Sequence, residues 1–289
     1  MPTRCYTYPV KRLIVNADDL GLTPGVNRIV FRLGEAGAVT SATLMASSLA
    51  FEDAIGLIRH RSTPAVGCHL IFVDGTPILP SPEIPSLAPG GLFRSTLGSF
   101  VSDLLRNRIV EAEIEAEATA QIRKVQQAGV KVTHIDTHKH THMFPGVLRP
   151  VLRAALACGV KAIRNPYEPQ WSIRATPHST ITRRAQVAVL NTQKGTFYRL
   201  VREAGLSTTD GAIGVVATGT LDRPALHSLL QAIPDGTWEL VCHPGLDDQA
   251  LRNIQTRLRN SREIEADALA ALIPATASQG INLIHFGSL

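Results

Sequence analysis

Short apolar runs alternate with amphipathic stretches along most of the chain, and this pattern predicts a set of strands separated by helices. Alternation of this kind is typical of an α/β protein with a (β/α) barrel-like fold of parallel strands and outer helices. The pattern does not fix whether the barrel closes regularly. No internal repeat or domain boundary is evident, so we expect one domain over residues 1–289. The predicted strands are Leu13–Ala17, Ser41–Ala46, Ala65–Phe72, Val130–Thr137, Lys161–Arg164, Ala212–Ala217, Trp238–Cys242 and Ile281–Phe286.

The clearest helical pattern runs from about Ile109 to Ala128. Acidic residues are concentrated in its N-terminal half, and Gly129 follows as a predicted C-cap. Its apolar positions recur at helical spacing, which predicts a structural helix with one buried stripe. That stripe consists of Val110, Ile114, Ala118, Ile122 and Val125.

Composition narrows the functional class. A hydrophobic content of 44% with 18% charged residues indicates an ordered globular protein rather than a disordered chain. The net charge of +5 is scattered, and we predict that the densest basic stretch, Arg257–Arg262, is a solvated helix face. The chain has no basic stripe with interleaved aromatics, which argues against nucleic-acid binding. A slightly positive surface is compatible with transient contact with an anionic membrane surface, and the sequence leaves homo-oligomerisation open.

We expect a cytoplasmic protein without a transmembrane segment. No stretch approaches the ~20 apolar residues of a membrane span, and Met1–Tyr6 lacks the hydrophobic core of a signal peptide. The four cysteines are widely spaced and form no C-x-x-C pair, so we predict reduced thiols. They are Cys5, Cys68, Cys158 and Cys242.

The densest chemistry in the sequence lies in the nine residues His134–His142, which contain four of the ten histidines. In an extended segment alternate side chains share a face, so the five members spaced by two can point the same way until the strand ends. Imidazole and carboxylate are the usual ligands of a catalytic divalent metal. The spacing therefore favours a metal site over a polar surface strand. The five members are His134, Asp136, His138, His140 and His142.

Polar residues also mark the ends of three other predicted strands. Asp18 and Asp19 follow the first strand, His69 lies in the third, and His243 closes the strand that begins at Trp238. Each has an ordinary alternative when taken alone, such as a helix-capping Asp-Asp turn or a core histidine. In parallel α/β folds the carboxyl ends of the strands meet at one edge, where ligands and catalysis gather. Their repeated placement is the argument for a common site.

These segments carry a family resemblance. Residues Ile14–Gly21, Val66–His69, His134–Pro145 and Cys242–Gly245 resemble, in this order, the YdjC/ChbG family of carbohydrate deacetylases. The NADD-x-G and H-x-D-x-H-x-H-x-H-x-F-P motifs are specific, and the resemblance spans nearly the whole chain. It implies a YdjC-like deacetylase domain with an irregular barrel. It also implies a divalent metal held by one Asp and two His, a general base and a general acid. These map to Asp19, His69 and His138 as ligands, Asp18 as base and His243 as acid.

The remaining candidates support or surround this set. His134, Asp136, His140 and His142 are predicted to fix the ligands, and His134 or His140 replaces His138 if the strand ends elsewhere. Arg164 either orients Asp18 or an acetyl oxygen, or forms a structural ion pair. Two loops are longer than the fold requires. Asp74–Gly91, rich in proline, is predicted to be a semi-rigid wall beside His69. Asn165–Thr180 carries Tyr167 and Trp171, which either stack on a sugar or pack within the loop.

One departure from the family pattern concerns the substrate. Lys139 stands where the chito-oligosaccharide members carry histidine, and with Val160–Pro166 it makes the chain more similar to the hopanoid-biosynthesis-associated branch. That branch is linked to deacetylating an N-acetylglucosaminyl hopanoid lipid. The expected cofactor is one divalent metal ion. Two nitrogen ligands favour Zn²⁺ or a neighbouring transition metal over Mg²⁺, although the family is often associated with magnesium.

Two other functions stay open at this stage. A metal-dependent phosphoesterase also uses His and Asp clusters at barrel strand ends, and it would bind two or three ions rather than one. A non-catalytic sugar- or lipid-binding relative would be expected to lose the base or the acid. This chain retains Asp18 and His243, so the deacetylase ranks first.

Overall fold

The fold is organised around one curved parallel sheet, seen in a computed structural model that describes residues 10–177 and 191–289. All its strand pairs are parallel, in the order β4-β3-β2-β1-β6-β5, and β7 also pairs with β1. The strands of the described residues are β1 (Lys11–Leu20), β2 (Ser41–Leu44), β3 (Ala65–Leu70), β4 (Ile135–Thr137), β5 (Gly211–Ile213), β6 (Gly236–Cys242) and β7 (Ile281–Leu283).

Helices lie between most consecutive strands, as the alternation predicted. The helices of the described residues are α1 (Pro24–Glu35), α2 (Phe51–Ile58), α3 (Leu97–Leu105), α4 (Glu111–Gln127), α5 (Pro145–Ala157), α6 (Gln170–Ala175), α7 (Lys194–Glu203), α8 (Arg223–Ala232), α9 (Gln249–Arg252) and α10 (Asn260–Leu272). Across the described ranges, none of these helices combines the length and the apolar run needed to cross a membrane.

β1 is the central strand of the sheet. It pairs with β6 along Lys11–Ala17 on one edge, while the other edge pairs first with β7 and then with β2. Every residue of β1 from Leu13 onward is buried. Burial on both faces is expected when helices cover a parallel sheet. β1 therefore carries Asp18 and Asp19, near its carboxyl end, to the centre of the sheet edge.

The pairing continues beyond β4 through two isolated parallel bridges. Ile135 bridges Ile163, and Ala162 bridges Ser207, which lies four residues before β5. The predicted (β/α) barrel-like fold is therefore confirmed. The prediction of a regular strand at Lys161–Arg164 is wrong: only Ala162 and Ile163 form bridges. Pro166 follows two residues later and offers no amide hydrogen to a ladder.

Five of the other predicted strands end earlier or start later than expected. β2 stops at Leu44, β3 at Leu70, β5 at Ile213 and β7 at Leu283. β4 starts only at Ile135, although the Thr133 amide donates to the Val66 carbonyl oxygen and the His134 carbonyl oxygen accepts from the Cys68 amide. The buried apolar character that predicted the longer strands persists in the connecting segments, as at Ile71–Val73. Burial of these residues reflects the core rather than strand pairing.

α4 confirms the predicted helix, with one correction. Its inward residues are fully buried, and Gly129 has the positive φ of +91° expected after a helix C-terminus. Val110 does not belong to the buried stripe, because it precedes the first helical residue and its side chain is 51% exposed. The buried stripe is Ile114, Ala118, Ile122 and Val125.

The described cysteines are buried free thiols. Cys68, Cys158 and Cys242 form no disulfide, as predicted, and Cys5 lies outside the described residues. Burial raises the pKa of the Cys68 and Cys242 thiols well above the usual range. A thiol held in its neutral form is a poor nucleophile, so these cysteines act as packing residues.

Candidate active site

The candidate site lies where β1, β3, β4 and β6 end. Asp18 and Asp19 are the eighth and ninth residues of β1, and His69 is the fifth residue of β3. His138 directly follows β4, and His243 directly follows β6. Asp19 has a φ of 63°, in the left-handed region, which turns the chain out of the strand toward α1. The structure therefore brings together the five residues to which the resemblance assigns chemistry.

Asp19, His69 and His138 present three donor atoms to one point. Asp19 Oδ1 lies 3.6 Å from His69 Nε2 and 3.7 Å from His138 Nδ1. The two imidazole nitrogens are 3.3 Å apart. Tetrahedral donors about 2.1 Å from a zinc ion would be about 3.4 Å from one another. One carboxylate and two imidazoles at this spacing fit a single divalent cation.

Asp136 orients the His69 imidazole. Its Oδ1 lies 2.7 Å from His69 Nδ1, and Thr43 Oγ1 donates to its Oδ2 at 3.1 Å. A carboxylate on the outer nitrogen fixes the ring and leaves Nε2 for the cation. Burial opposes the charged form of His69, but Asp136, with smaller contributions from Asp18 and Asp19, outweighs it and raises the pKa of His69 to about 9. A cation at Nε2 would need the neutral ring, so its binding would release that proton.

His138 differs electrostatically from His69. Burial lowers the pKa of His138 to about 4, despite the nearby Asp19 carboxylate. Its ring is therefore neutral at neutral pH, and Nδ1 is available as a lone-pair donor. Among the described residues, His138 is the member of the 134–142 cluster that joins Asp19 and His69 in a possible metal group.

Asp18 is held by Arg164. The guanidinium donates to both carboxylate oxygens, at 2.6 and 2.7 Å, and Asn16 Nδ2 donates to Oδ1 at 2.9 Å. Burial alone would raise the pKa of Asp18, but Arg164 outweighs it and holds the pKa well below the usual range. Asp18 is therefore an ionised carboxylate at neutral pH, with a fixed orientation.

Arg164 serves three carboxylates at once and is fully buried. Besides Asp18 it contacts Asp136 Oδ2 at 2.6 Å and donates from Nε to Glu239 Oε1 at 2.7 Å. All three guanidinium nitrogens are thereby engaged. Of the alternatives left open by the sequence, the structure favours an arginine that orients Asp18 within an ion-pair network over one that contacts an acetyl oxygen. Glu239 is a site residue that the sequence reasoning missed.

His243 lies between two carboxylates. Its Nε2 is 3.9 Å from Asp18 Oδ2, and its Nδ1 is 3.9 Å from Glu265 Oε2. The backbone amide of His243 also donates to Glu265 Oε2 at 2.6 Å. Burial raises the pKa of Glu265. Glu265 thus fixes the main chain of His243 and faces the ring nitrogen that points away from Asp18.

The prediction that Arg257–Arg262 form a solvated basic face is wrong for Arg262. Arg257 and Arg259 are exposed, but Arg262 is 1% exposed, and its Nη2 donates to Asp19 Oδ2 at 2.6 Å. α10 begins at Asn260, which turns Arg262 and Glu265 inward one helical turn apart. The signal for an inward face was present in the sequence, because Ala266 and Leu269 continue the same buried stripe at helical spacing.

The shared face expected for the 134–142 cluster until the strand ends stops at Thr137. β4 ends there, and His138–Met143 form a 3₁₀ segment. Within it Lys139 and His140 have φ values of 55° and 53°, so the chain turns sharply after His138. A two-residue alternation requires extended backbone and does not survive this turn. The cluster is therefore divided between different roles.

His134 and His142 contact residues that surround the site. His134 Nε2 is 3.1 Å from Asn16 Oδ1, and its ring stacks on Phe286 at 3.9 Å between centroids. Because Asn16 donates to Asp18, His134 supports the carboxylate indirectly. His142 Nδ1 is 2.7 Å from Thr137 Oγ1, and its Nε2 is 3.1 Å from the Arg164 carbonyl oxygen. Neither ring is directed at the Asp19–His69–His138 group.

His140 has a different environment from its neighbours in the cluster. Its ring centroid lies 6.4 Å from that of His142. Within the described part of the chain, no hydrogen-bond partner reaches its buried Nδ1. Burial lowers the pKa of His140 well below the usual range, so the ring is neutral at neutral pH. His140 therefore lies near the ion-pair network of Arg164, and its Nδ1 takes part in no hydrogen bond with the described residues.

The two loop aromatics pack within the protein. Tyr167 is 1% exposed, donates to the Met143 carbonyl oxygen at 3.1 Å and packs edge to face against Phe197. Trp171 packs edge to face against Trp238, which lies near the start of β6 rather than at its site end. Of the two alternatives for these rings, the structure shows ordinary loop packing.

The proline-rich loop after β3 is held against α4 by buried or half-buried carboxylates. Glu117 accepts the backbone amides of Ile78 and Leu79, at 2.8 and 2.9 Å. Glu113 accepts those of Ser86 and Leu87, at 2.8 and 2.9 Å. Two short 3₁₀ turns lie within the loop. We call this arrangement the glutamate clamp; it makes the loop a fixed wall following His69.

Comparison with known proteins identifies the family of this chain. The profile of the YdjC-like protein family matches residues 12–273. The chain belongs to the YdjC-like family. A carbohydrate deacetylase of Brevibacillus brevis is 32% identical over 282 residues, covering 96% of this chain and 99% of that protein. A carbohydrate deacetylase of Mus musculus is 32% identical over 257 residues, covering 82% of this chain and 79% of that protein.

A solved structure supports the fold. An Enterococcus faecalis V583 protein, named provisionally for cellobiose-phosphate cleavage, superposes with a TM-score of 0.72 at 24% identity. The match covers 96% of the YdjC-like chain and 98% of that chain. The likeness concerns the barrel-like architecture over almost the full length of both proteins.

Proposed function

We propose that this YdjC-like protein is a metal-dependent carbohydrate N-deacetylase that releases acetate from an N-acetylglucosamine-containing substrate. One observation carries the proposal: the Asp19–His69–His138 group lies beside an ion-paired carboxylate, Asp18, with His243 at 3.9 Å from that carboxylate. The two 32% identical relatives named carbohydrate deacetylases support the same reaction. The reaction is amide hydrolysis, so the amide C–N bond breaks and water supplies the oxygen and the protons.

A cation held by Asp19, His69 and His138 would supply a Lewis acid for the amide carbonyl oxygen and for the negative charge that develops there. Asp18, ionised and held by Arg164, accepts the proton of the attacking water. Asn16 and Arg164 keep the carboxylate in place during this step. His243 donates a proton from Nε2 to the departing amine, and Glu265 holds its main chain. Acetate and a glucosamine-type amine are the products.

We propose one ion per chain, with Zn²⁺ or a neighbouring transition metal preferred because two of the three ligands are nitrogen. Release of a proton from His69 on binding is part of this proposal, since the carboxylates around it raise the pKa of the free ring to about 9.

The substrate branch rests on Lys139. Lys139 Nζ lies 2.7 Å from Asp74 Oδ2, so it joins the turn after His138 to the loop after β3 at an exposed position. We propose a glycosylated hopanoid lipid as the substrate, because Lys139 replaces the histidine of the chito-oligosaccharide members. A half-exposed ion pair at this place is accessible to the substrate's aglycone.

The phosphoesterase alternative needs further ions, and the network argues against it. A second possible metal group, Asp18, His69 and Asp136, exists within the described residues. Arg164, however, contacts both of its carboxylates at 2.6–2.7 Å and is fully buried. A second cation would have to displace a buried guanidinium, which costs several kcal/mol. The binding-protein alternative is not favoured either, since Asp18 and His243 are both present.

Acetate release tests the proposal. The purified protein is assayed with chito-oligosaccharides and a lipid-linked N-acetylglucosamine glycoside, before and after chelation and metal add-back. We expect chelator-sensitive release restored by the metal, with one ion per chain by elemental analysis. The compound from which acetate is released fastest identifies the substrate branch, chito-oligosaccharide or glycolipid. Absence of release from every compound with metal bound, or two or more ions per chain, would contradict the deacetylase proposal.

A further inference from the structure

Arg262 contacts the oxygen of Asp19 that faces away from the two histidines. Its Nη2 donates to Asp19 Oδ2 at 2.6 Å, while Oδ1 faces His69 Nε2 and His138 Nδ1 at 3.6 and 3.7 Å. The two oxygens of one carboxylate are thus divided between an arginine and the candidate cation site. Arg262 is 1% exposed, so water does not compete for this contact.

Other contacts fix the guanidinium independently of Asp19. Nε donates to the Leu258 carbonyl oxygen at 3.0 Å, and Nη1 lies 3.4 Å from the His243 carbonyl oxygen. Gly245 packs against the side chain so closely that an added Cβ would lie 3.1 Å from Arg262 Cδ. An arginine anchored to two main-chain carbonyl oxygens is held independently of Asp19, so it does not follow the carboxylate if it rotates.

The left-handed backbone of Asp19 also restricts the orientation of its carboxylate. Its φ of 63° sets the direction in which the side chain leaves the chain. A carboxylate that offers both oxygens to a cation occupies two coordination positions, whereas one that offers a single oxygen occupies one. Amide hydrolysis needs open positions for water and for the substrate carbonyl.

We propose that Arg262 is a positioning residue that reserves Asp19 Oδ2 and so restricts Asp19 to one oxygen at the cation. The inference rests on the proposed function, in which Asp19, His69 and His138 hold the ion. It predicts an outcome opposite to that of a simple scaffold residue. Removing Arg262 frees the second oxygen and removes a buried positive charge next to the cation. The cation should then bind more tightly while catalysis falls.

The test uses Co²⁺ alone as the probe, on the full-length metal-free protein. Wild type, Arg262→Gln and Arg257→Gln are titrated by calorimetry and by visible absorption, which weakens as the Co²⁺ coordination number rises. Arg257 is the matched control, because it is an exposed arginine five positions earlier. For Arg262→Gln we expect a Kd about tenfold lower, the scale that Coulomb's law gives in a water-like dielectric for one charge near a divalent ion. We also expect weaker absorption, with a kcat at least about tenfold lower.

Arg257→Gln should match wild type in all three measurements. If Arg262→Gln does not fold, Arg262→Lys replaces it, because lysine keeps the charge but not the planar fork that fixes the oxygen. For that variant we expect Co²⁺ affinity no lower than wild type, weaker absorption and a lower kcat. Weaker Co²⁺ binding, or an unchanged Co²⁺ spectrum, in whichever variant folds would overturn the proposal. A wild type that binds no Co²⁺ would instead overturn the proposed function, and this inference with it.

Discussion

Replacing Glu239 by glutamine should stabilise the protein at alkaline pH and have little effect at acid pH. Glu239 is fully buried, and its Oε1 accepts both Nε and Nη2 of Arg164, at 2.7 and 2.6 Å. Its Oε2 has no hydrogen-bond partner within residues 10–177 and 191–289. Burial outweighs the attraction of Arg164 and raises the pKa of Glu239 from 4.5 to about 7.

The magnitude follows from that rise. Each unit of pKa corresponds to about 1.4 kcal/mol, so ionising Glu239 in the folded protein costs about 3 kcal/mol more than in the unfolded chain. Between pH 4.5 and about 7 the folded state holds a proton that the unfolded chain has already released. The free energy of unfolding therefore falls as pH rises through this window, and the loss is complete above about pH 7.

Glutamine keeps the acceptor for Arg164 and removes the titration. The assay is urea unfolding at about pH 5 and about pH 8, followed by fluorescence of Trp171 and Trp238. We expect Glu239→Gln to equal wild type at the lower pH and to exceed it by up to about 3 kcal/mol at the higher pH. Glu83→Gln, at an exposed position, is the control and should show no such difference. A Glu239→Gln variant less stable than wild type at about pH 8 would show that ionised Glu239 does not destabilise the folded protein.

Three further changes test separate parts of the site. Asp19→Ala should lose the cation and the activity together; full metal occupancy by elemental analysis would contradict its role as a ligand. Asp18→Asn should keep the metal and lose kcat by about 10²–10⁴-fold, as expected for loss of a general base, and near-normal turnover in the acetate assay would point to another base. Gly67→Ala places a Cβ 2.5 Å from the His134 ring and 2.6 Å from its carbonyl oxygen, so it should cost about 1–3 kcal/mol or more. An unchanged Tm in thermal unfolding would show that His134 can move.

The parts of the fold that sequence predicted are those set by local patterns. The helix at α4 and the alternation of strands and helices follow from apolar spacing within short windows. The meeting of Asp18, His69 and His243 follows from one rule about parallel strands, once the strands are recognised. The sharp turn after His138 could not be predicted this way. Lys139 and His140 have a left-handed backbone conformation although neither is glycine, so their residue types do not predict the turn.

Contacts between distant segments explain the other failures. Arg262 lies 243 positions from Asp19, and Arg164 lies 75 positions from Glu239. In sequence, Arg262 is one of several arginines in a basic stretch, and only the fold distinguishes it from Arg257 and Arg259. Such residues become recognisable when burial is known, because a charged side chain is buried only when it is paired.

The glutamate clamp has a consequence for how this surface can diverge. Glu117 and Glu113 accept only backbone amides from the loop after β3, so they recognise the path of the chain and not its side chains. Any residue other than proline at Ile78, Leu79, Ser86 or Leu87 can supply the same donor. The exposed side chains of this loop can therefore change while the loop keeps its shape and the candidate ligands Asp19, His69 and His138 keep their positions.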